Sequence, residues 1–326
     1  MRPSPVIYST FSSDGIRELI LPHYDLGKSV ECTLFHRGLN DTYLVSAPNG
    51  KFGLRVYRSK WRTRAAIMAE LLALQHLDSR GVSVATPLKR SDGELITDVD
   101  APEGVRSAAV FHWASGVEAR YINATHAEQY GRLAAQLHNA GDDLPSSAAR
   151  PALDMNYLLE RPLTFLRPAL KSHRSQAARL DALVERLRSR LKEVRGQMFD
   201  WGFCHGDLHG GNVHVDGDRL TLFDFDCCGP GWRAFDLATY RWAARIRQVE
   251  EQAWKPFIEG YLRVRPAAAN SVEVVPLFIM LRQIWLTGLH VSNSRETGAG
   301  RQTDGFFEHL VAFCEKIEAE ESAARS

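Results

Sequence analysis

The rhythm of apolar and polar positions changes once along this chain. From Val30 to about Tyr57 the text VECTLFHRGLNDTYLVSAPNGKFGLRVYR reads as three strands, broken by turn signals at Gly38-Leu39-Asn40-Asp41 and Pro48-Asn49-Gly50. That predicts an antiparallel meander. Next, RTRAAIMAELLALQHLDSRG places Ile67, Leu71, Leu74 and Leu77 on one helical face and stops at Gly81. Two strand-like pieces, around Glu94 to Asp98 and Ser107 to Trp113, complete a small sheet with one helix. Beyond Gly116 the pattern is mostly helical: Tyr130 to Asn139, Asn156 to Leu159, then Leu180, Leu183, Leu187 and Leu191 at three- and four-residue steps. The leucine row is most simply a core stripe, too short for sustained coiled-coil heptads. Between Phe199 and Phe225 short strands and glycines interrupt the helices, which resume from Ala234. With no internal repeat or low-complexity linker, the expectation is an α+β chain of two lobes with a cleft, a smaller one over 1–110 and a larger helical one over 111–326.

Composition narrows the field without deciding it. The 326 residues are 44% hydrophobic and 24% charged, ordinary globular usage. Forty Lys and Arg against 39 Asp and Glu leave a net charge of +1, so no global charge points to nucleic acid or to an anionic membrane, and neither is expected as a partner. The N-terminal stretch lacks an apolar run followed by a small-residue cleavage site, and the late apolar run VVPLFIML is stopped by Arg282, so a cytoplasmic protein is expected. Five cysteines with no CxxC spacing suit reduced thiols better than disulfides or a zinc knuckle.

The chemistry concentrates in CHGDLHGGN, Cys204 to Asn212. A glycine-rich turn holding Asp207 and, five positions on, Asn212 can put a carboxylate beside an acceptor hydroxyl while the amide oxygen faces a metal. This is the catalytic-loop spacing of kinases. Twelve residues further, TLFDFDCCG delivers Asp224 at the end of an apolar strand, where a second hard oxygen ligand for Mg²⁺ is needed. A strand pair joined by the Val215–Asp218 turn would bring Asn212 and Asp224 to the same end. Two alternatives fall short. LGKS, Leu26 to Ser29, imitates a P-loop end, yet Pro22 replaces the first glycine and a strand follows. A zinc set of His205, Asp207, His209 and His214 finds no distant cluster to complete it as well as Asp224 completes the kinase set.

At HGDLHGGNVHVDGDRLTLFDFD and RAFDLA the sequence resembles the aminoglycoside phosphotransferase and choline kinase superfamily, over nearly the whole chain. The overall pattern is most similar to bacterial stress-response kinase A and type II homoserine kinase. The resemblance implies a protein-kinase-like two-lobed fold, with nucleotide bound by 1–110 and with 111–326 supplying hinge, catalytic and acceptor parts. It implies ATP, with GTP open, and Mg²⁺. Asp207 would be the catalytic base, Asn212 and Asp224 the metal ligands, and Asp226, standing at the glycine of a DFG pattern, would bind a second Mg²⁺ or polarise the first. LNDTYLV resembles the phosphate-covering hairpin, bringing in Asn40, and Arg55 would contact the phosphates while pairing with Glu70. Arg55 replaces the commoner Lys, and a guanidinium can clamp phosphate bidentately although the two are not equivalent. Phe111, His112 and Trp113 in VFHWASG would offer backbone groups to adenine. His205 and Asp236 would support the loop, Asp236 also reading as a helix N-cap, and His209 either touches the γ-phosphate or serves locally.

The acceptor is constrained by charge. Between Arg241 and Arg301 nine Arg and Lys outnumber five Glu, whereas a site for polycationic aminoglycosides should be acidic. A neutral or anionic small hydroxyl compound is favoured, such as an amino acid, a sugar or a nucleoside. A protein Ser/Thr acceptor stays open through the likeness to stress-response kinase A. Trp242, Trp254 and Trp285 read as core before they read as a stacking wall.

Overall fold

The computed structural model describes residues 4–119, 123–145, 149–194 and 200–325. They form two compact units, and chain order does not separate them cleanly. The first gathers the described residues up to Val117 with Ala149, Arg150 and Val213–Asp226, and the second holds the rest.

The first unit is built on the expected meander. Strands β1 (Glu31–Arg37), β2 (Asp41–Ala47) and β3 (Gly50–Val56) are joined by the two short turns, and β4 (Thr97–Ala101) and β5 (Gly104–His112) complete an antiparallel sheet of order β1-β2-β3-β5-β4. Alternation in β2 and β3 sends Tyr43, Val45, Leu54 and Val56 to one face, where Ile16 of a short helix α1 (Ser13–Leu19) covers them. Helix α2 (Arg64–Ser79) starts where Thr63 accepts the Ala66 amide through its side chain, and buries Ile67, Leu71, Leu74 and Leu77. The strand expected at Glu94–Asp98 begins only at Thr97. Glu94 is instead held in a turn, its amide donating to Asp92 and its carbonyl accepting from Arg90, because Gly93 adopts a left-handed φ of 89°. A later hairpin, Val213–Asp216 with Arg219–Leu222, joins this unit: the Leu222 amide donates to Ser83 and its carbonyl accepts from Ala85.

The second unit is mainly helical. It contains α3 (Ala124–Ala140), α4 (Arg161–Ala169), α5 (Arg174–Val194), the strand pair β6 (Trp201–Cys204) and β7 (Gly229–Trp232), α6 (Ala234–Ile246), α7 (Glu250–Val264), α8 (Val275–Ser292) and α9 (Asp304–Arg325). Asn156–Glu160 forms a single wide turn leading into α4. The leucine row of α5 is buried, and α5 is stitched to α9 by Arg179 with Glu308 and Glu315 and by Arg186 with Glu318. Helices α3 and α7 cross so closely that a Cβ on Gly131 would lie 1.9 Å from the Phe257 carbonyl oxygen. Helix α8 is long and apolar enough to cross a membrane, but 72% of it is buried, packed against α4, α6 and α9 as the core helix of the unit.

Candidate active site

In the second unit the polar loop after β6 is shaped by Asp236, at the start of α6. Its carboxylate, fully buried, accepts the amides of His205 at 2.7 Å and Gly206 at 2.8 Å, and a third bond from His138 Nε2 at 3.0 Å. Gly206 takes a φ of 79°, and a Cβ there would sit 2.2 Å from the Cys227 carbonyl oxygen, so this turn is reserved for glycine. The loop therefore has one available shape. His205, buried, accepts the Asp207 amide on Nδ1, a bracing role. His138 is a support the sequence reading omitted. Its Nδ1 lies 2.7 Å from the Tyr261 hydroxyl, so the ring bridges α7 to the loop brace, and burial lowers its pKa from the ordinary 6.5.

The loop presents Asp207 with three neighbours. Asn212 Nδ2 donates to the Asp207 carbonyl at 2.9 Å and to Oδ2 at 3.2 Å, which fixes the amide through its nitrogen. His209 Nε2 lies 3.5 Å from Oδ2, while its Nδ1 accepts the Gly211 amide. On the other side Arg282 Nη2, from the middle of α8, donates to Oδ1 at 2.5 Å. Burial alone would push the Asp207 carboxyl up, but Arg282, with His209 and His205, holds it well below the usual carboxylate range. It is a carboxylate throughout the working pH range. The sequence analysis used Arg282 as the end of an apolar run and in a charge count, not as a partner of Asp207. The signal available was a solitary cation inside an otherwise apolar helix, the position where the apolar run from Val274 breaks.

In the first unit Arg55 joins two carboxylates. Its Nη1 donates to Glu70 Oε1 and its Nη2 to Asp224 Oδ1, both at 2.9 Å, with Glu70 fully buried. The ring faces of Tyr57 and Phe111 lie 5.6 and 5.3 Å from the guanidinium carbon. Burial raises the Glu70 pKa, opposed by Arg55 and Arg150. Asp224 has a left-handed φ of 63°, a strained conformation for a non-glycine residue and common at functional positions. Its side chain is 44% exposed, and Arg55 engages only one oxygen. Asp226, by contrast, is buried: Trp61 Nε1 donates to Oδ2 at 2.6 Å, Arg62 Nε lies 3.5 Å from Oδ1, and Oδ1 has no hydrogen-bond partner among the described residues.

The remaining expected contacts are partly occupied within the first unit. Asn40 Oδ1 accepts the Arg58 amide, pinning the turn between β1 and β2. Phe111 and His112 end β5, where the His112 amide donates to Thr86, and the Trp113 amide donates to Lys51. The His112 amide is thus taken by the segment before β4 and the Trp113 amide by β3, and Phe111 is paired with Gly53 in the ladder. The Trp113 ring lies 3.6 Å from where a Cβ on Gly53 would stand, and meets Phe35 edge to face. Among the described residues no three His, Cys, Asp or Glu converge as a metal cluster. The histidines of the zinc set point to separate local partners, His214 Nδ1 to the Ala114 carbonyl at 2.5 Å.

A braced loop carrying a carboxylate and an amide, and a half-buried arginine on a sheet shared between a helix Glu and an Asp, are features that suit a kinase-like phosphotransferase. Comparison with known proteins agrees. Residues 31–269 match the model of the phosphotransferase enzyme family, and the chain belongs to that family. It is similar to an uncharacterised protein of Deinococcus radiodurans, 38% identical over 99% of this chain and 94% of the other. It is also similar to homoserine kinase of Neisseria meningitidis serogroup B, 28% identical over 83% of this chain and 85% of that enzyme. Among solved structures, a microcompartment-associated aminopropanol kinase aligns with a TM-score of 0.77 and 24% identity, covering 94% of this chain and 98% of that one, a likeness of fold. The protein is a small-molecule kinase-like phosphotransferase with an α+β fold.

Proposed function

We propose that the enzyme transfers the γ-phosphoryl group of ATP to a hydroxyl of a neutral or anionic small molecule, with Asp207 as the base. The observation that carries this reading is the Asp207–Asn212 pair, held in one turn that Asp236 braces by two backbone amides. Asp207 is ionised, so it can accept a hydrogen bond from an acceptor hydroxyl and orient an oxygen lone pair for attack. The similarity to homoserine kinase supports a small hydroxyl acceptor over a protein side chain.

The donor chemistry fits a divalent hard cation. Asn212 commits its amide nitrogen to Asp207, and Asp224 keeps one carboxylate oxygen beyond the Arg55 contact. Each is a hard oxygen donor of the kind Mg²⁺ takes, and the cation, when bound, would neutralise phosphate charge. The unpartnered Oδ1 of Asp226 is a further oxygen of the same kind, while Trp61 and Arg62 already restrain its carboxylate. Arg55 binds and orients phosphate oxygens while Glu70 fixes its direction. His209 is a candidate phosphate contact through Nε2, since its Nδ1 is committed to Gly211. Asn40 shapes the hairpin that covers the phosphates, and the Phe111–Trp113 segment lines the base with ring surface.

The test is acceptor-dependent release of ADP from MgATP, and of GDP from MgGTP, against homoserine, amino alcohols, sugars, nucleosides and antibiotics. Phosphorus NMR identifies the product. Release that depends on one class of hydroxyl compound and is lost in Asp207→Asn is the expected result; no acceptor-dependent release with either nucleotide overturns the reading.

A further inference from the structure

In the first unit, residues Tyr8 to Phe11 form an irregular strap ahead of α1 that is bonded to the hairpin of β1 and β2. Tyr8 touches both arms of that hairpin at its turn end. Its hydroxyl donates to Oδ1 of Asp41, the first residue of β2, and its ring lies 4.6 Å from the guanidinium carbon of Arg37, the last residue of β1 and the ladder partner of Asp41. Burial and the Asp41 contact push the Tyr8 hydroxyl up to about 12, so it stays a donor. Arg106 of β5, with its guanidinium carbon 5.0 Å from the same ring and its side chain fully buried, ties three segments together. Nη1 donates to the Ser9 carbonyl at 2.5 Å, Nη2 to Asp41 Oδ2 at 3.1 Å and to the Val56 carbonyl at 3.2 Å, and Nε to the Tyr57 carbonyl at 2.9 Å. Ser9 closes the strap on Glu103, its amide donating at 3.1 Å and its hydroxyl at 2.7 Å, and Tyr43 of β2 donates to the Phe11 carbonyl at 2.5 Å.

The hairpin needs such anchors. β1 is the edge strand of the sheet, with every residue but Cys32 exposed, so the turn end is held by Asn40 with the Arg58 amide and by Tyr8 and Arg106 on Asp41. Val56 and Tyr57 directly follow Arg55, so one buried guanidinium sets the turn carrying Asn40 against the strand carrying Arg55. A buried ion pair adds little net stability over apolar packing, because both charges are desolvated, but its hydrogen bonds permit one arrangement. We propose that the strap Tyr8–Phe11 is a positioning element for the nucleotide: through Tyr8 and Arg106 it holds the β1–β2 turn against the end of β3, so the grip on the phosphates depends on a segment that precedes Glu31, where the family match begins. This rests on the phosphotransferase reading above and adds to it the residues that set the phosphate-covering hairpin. Taking the Tyr8 hydroxyl from Asp41 leaves a buried carboxylate oxygen short of a donor and loosens the edge hairpin, and only the fraction of molecules with the turn in place binds at full affinity.

The experiment compares wild type with Tyr8→Phe, which keeps the ring beside Arg37 and removes only the hydroxyl, with Tyr8→Ala, and with Leu77→Ala, a control that empties a buried position of α2 outside the apolar cluster joined by Phe11. Each protein is titrated calorimetrically with MgATP and MgGTP, unfolded in urea, followed by amide exchange without nucleotide, and assayed for ADP and GDP release against the acceptor panel above. Tyr8→Phe should weaken nucleotide binding about 3–30-fold and Tyr8→Ala further, with faster exchange over residues 34–44 in both and unchanged exchange over 71–77. Leu77→Ala should lower the urea midpoint but leave nucleotide affinity within about twofold of wild type. If Tyr8→Ala does not fold, Tyr8→Phe decides. Tyr8 variants that bind nucleotide as wild type does make the strap a brace of the fold alone and overturn the proposal while leaving the phosphotransferase reading in place, as does a Leu77→Ala protein that loses affinity to the same degree. Faster hairpin exchange without weaker binding, or weaker binding without faster exchange, overturns it as well. Affinity that depends on Tyr8, in a protein that phosphorylates no acceptor, supports the proposal and counts against that reading. If wild type binds neither nucleotide, both are wrong.

Discussion

Arg55 and Asp224 are joined by a 2.9 Å bond, and the same guanidinium is bonded at 2.9 Å to the buried Glu70. The basic residue on β3 is thus fixed from two sides, with Glu70 setting its direction and Asp224 sharing it. Removing Glu70 leaves the guanidinium with Asp224 but takes the acceptor from Nη1. Glu70→Ala is expected to cost about 1–3 kcal/mol of stability and to raise the KM for nucleotide more than it lowers kcat. Urea denaturation and nucleotide titrations check both, and a variant as stable as wild type would show that the pair is dispensable.

Asp207 and Asp224 should separate by phenotype. Asp207→Asn keeps the size and hydrogen-bonding edge but removes the acceptor for a hydroxyl proton, so kcat should fall about 10²–10⁴-fold with nucleotide affinity nearly unchanged. Calorimetric titration with MgATP beside the rate measurement tests this. Full turnover in Asp207→Asn would remove it from the role of base.

Asp224→Ala removes a hard oxygen donor and one partner of Arg55. Nucleotide binding in the presence of Mg²⁺ should weaken about 10–100-fold, and the difference between affinities measured with and without Mg²⁺ should shrink. An unchanged magnesium dependence would place the cation elsewhere.

Stability should carry the signature of His138. Burial lowers its folded pKa below the ordinary 6.5, so the ring is neutral in the fold and becomes protonated in the unfolded chain below about that value. Between the lowered pKa and 6.5 the unfolded state binds more protons, so stability falls as pH drops through that window and the full contribution is present above it. Urea midpoints at pH 7.5, 6 and 5 should decline for wild type, with a shallower decline in His138→Gln. Parallel declines in the two proteins would locate the pH dependence in other groups.

The fold was legible wherever neighbours in sequence decide the outcome. The meander, the helix over Arg64–Ser79 and the leucine stripe of α5 follow from apolar spacing and turn residues, forces that act within a few positions. The loop at Asp207 was legible for the same reason, since its glycines, its carboxylate and Asn212 lie within one turn. Placing the fourth strand was harder, because Gly93 and Asp92 form a turn inside the apolar pattern.

What the chain determined locally was therefore its elements and the polar loop; partners distant in sequence were decided only by packing. The surplus of arginines between Arg241 and Arg301 shows the difference. Arg241 and Arg245 close on Glu250 within the counted window, while Arg245 also reaches Glu320, Arg263 reaches Glu128, and Arg265 binds Asp142 and Asp200, so part of the apparent positive field is matched by acids outside that window. Arg282 is the opposite case, one cation among many in sequence but buried beside Asp207 by the rotation of α8. A charge count sums over chain position, whereas the energy of a charge depends on its desolvation and on what lies within a few ångströms, and both are set when helices pack.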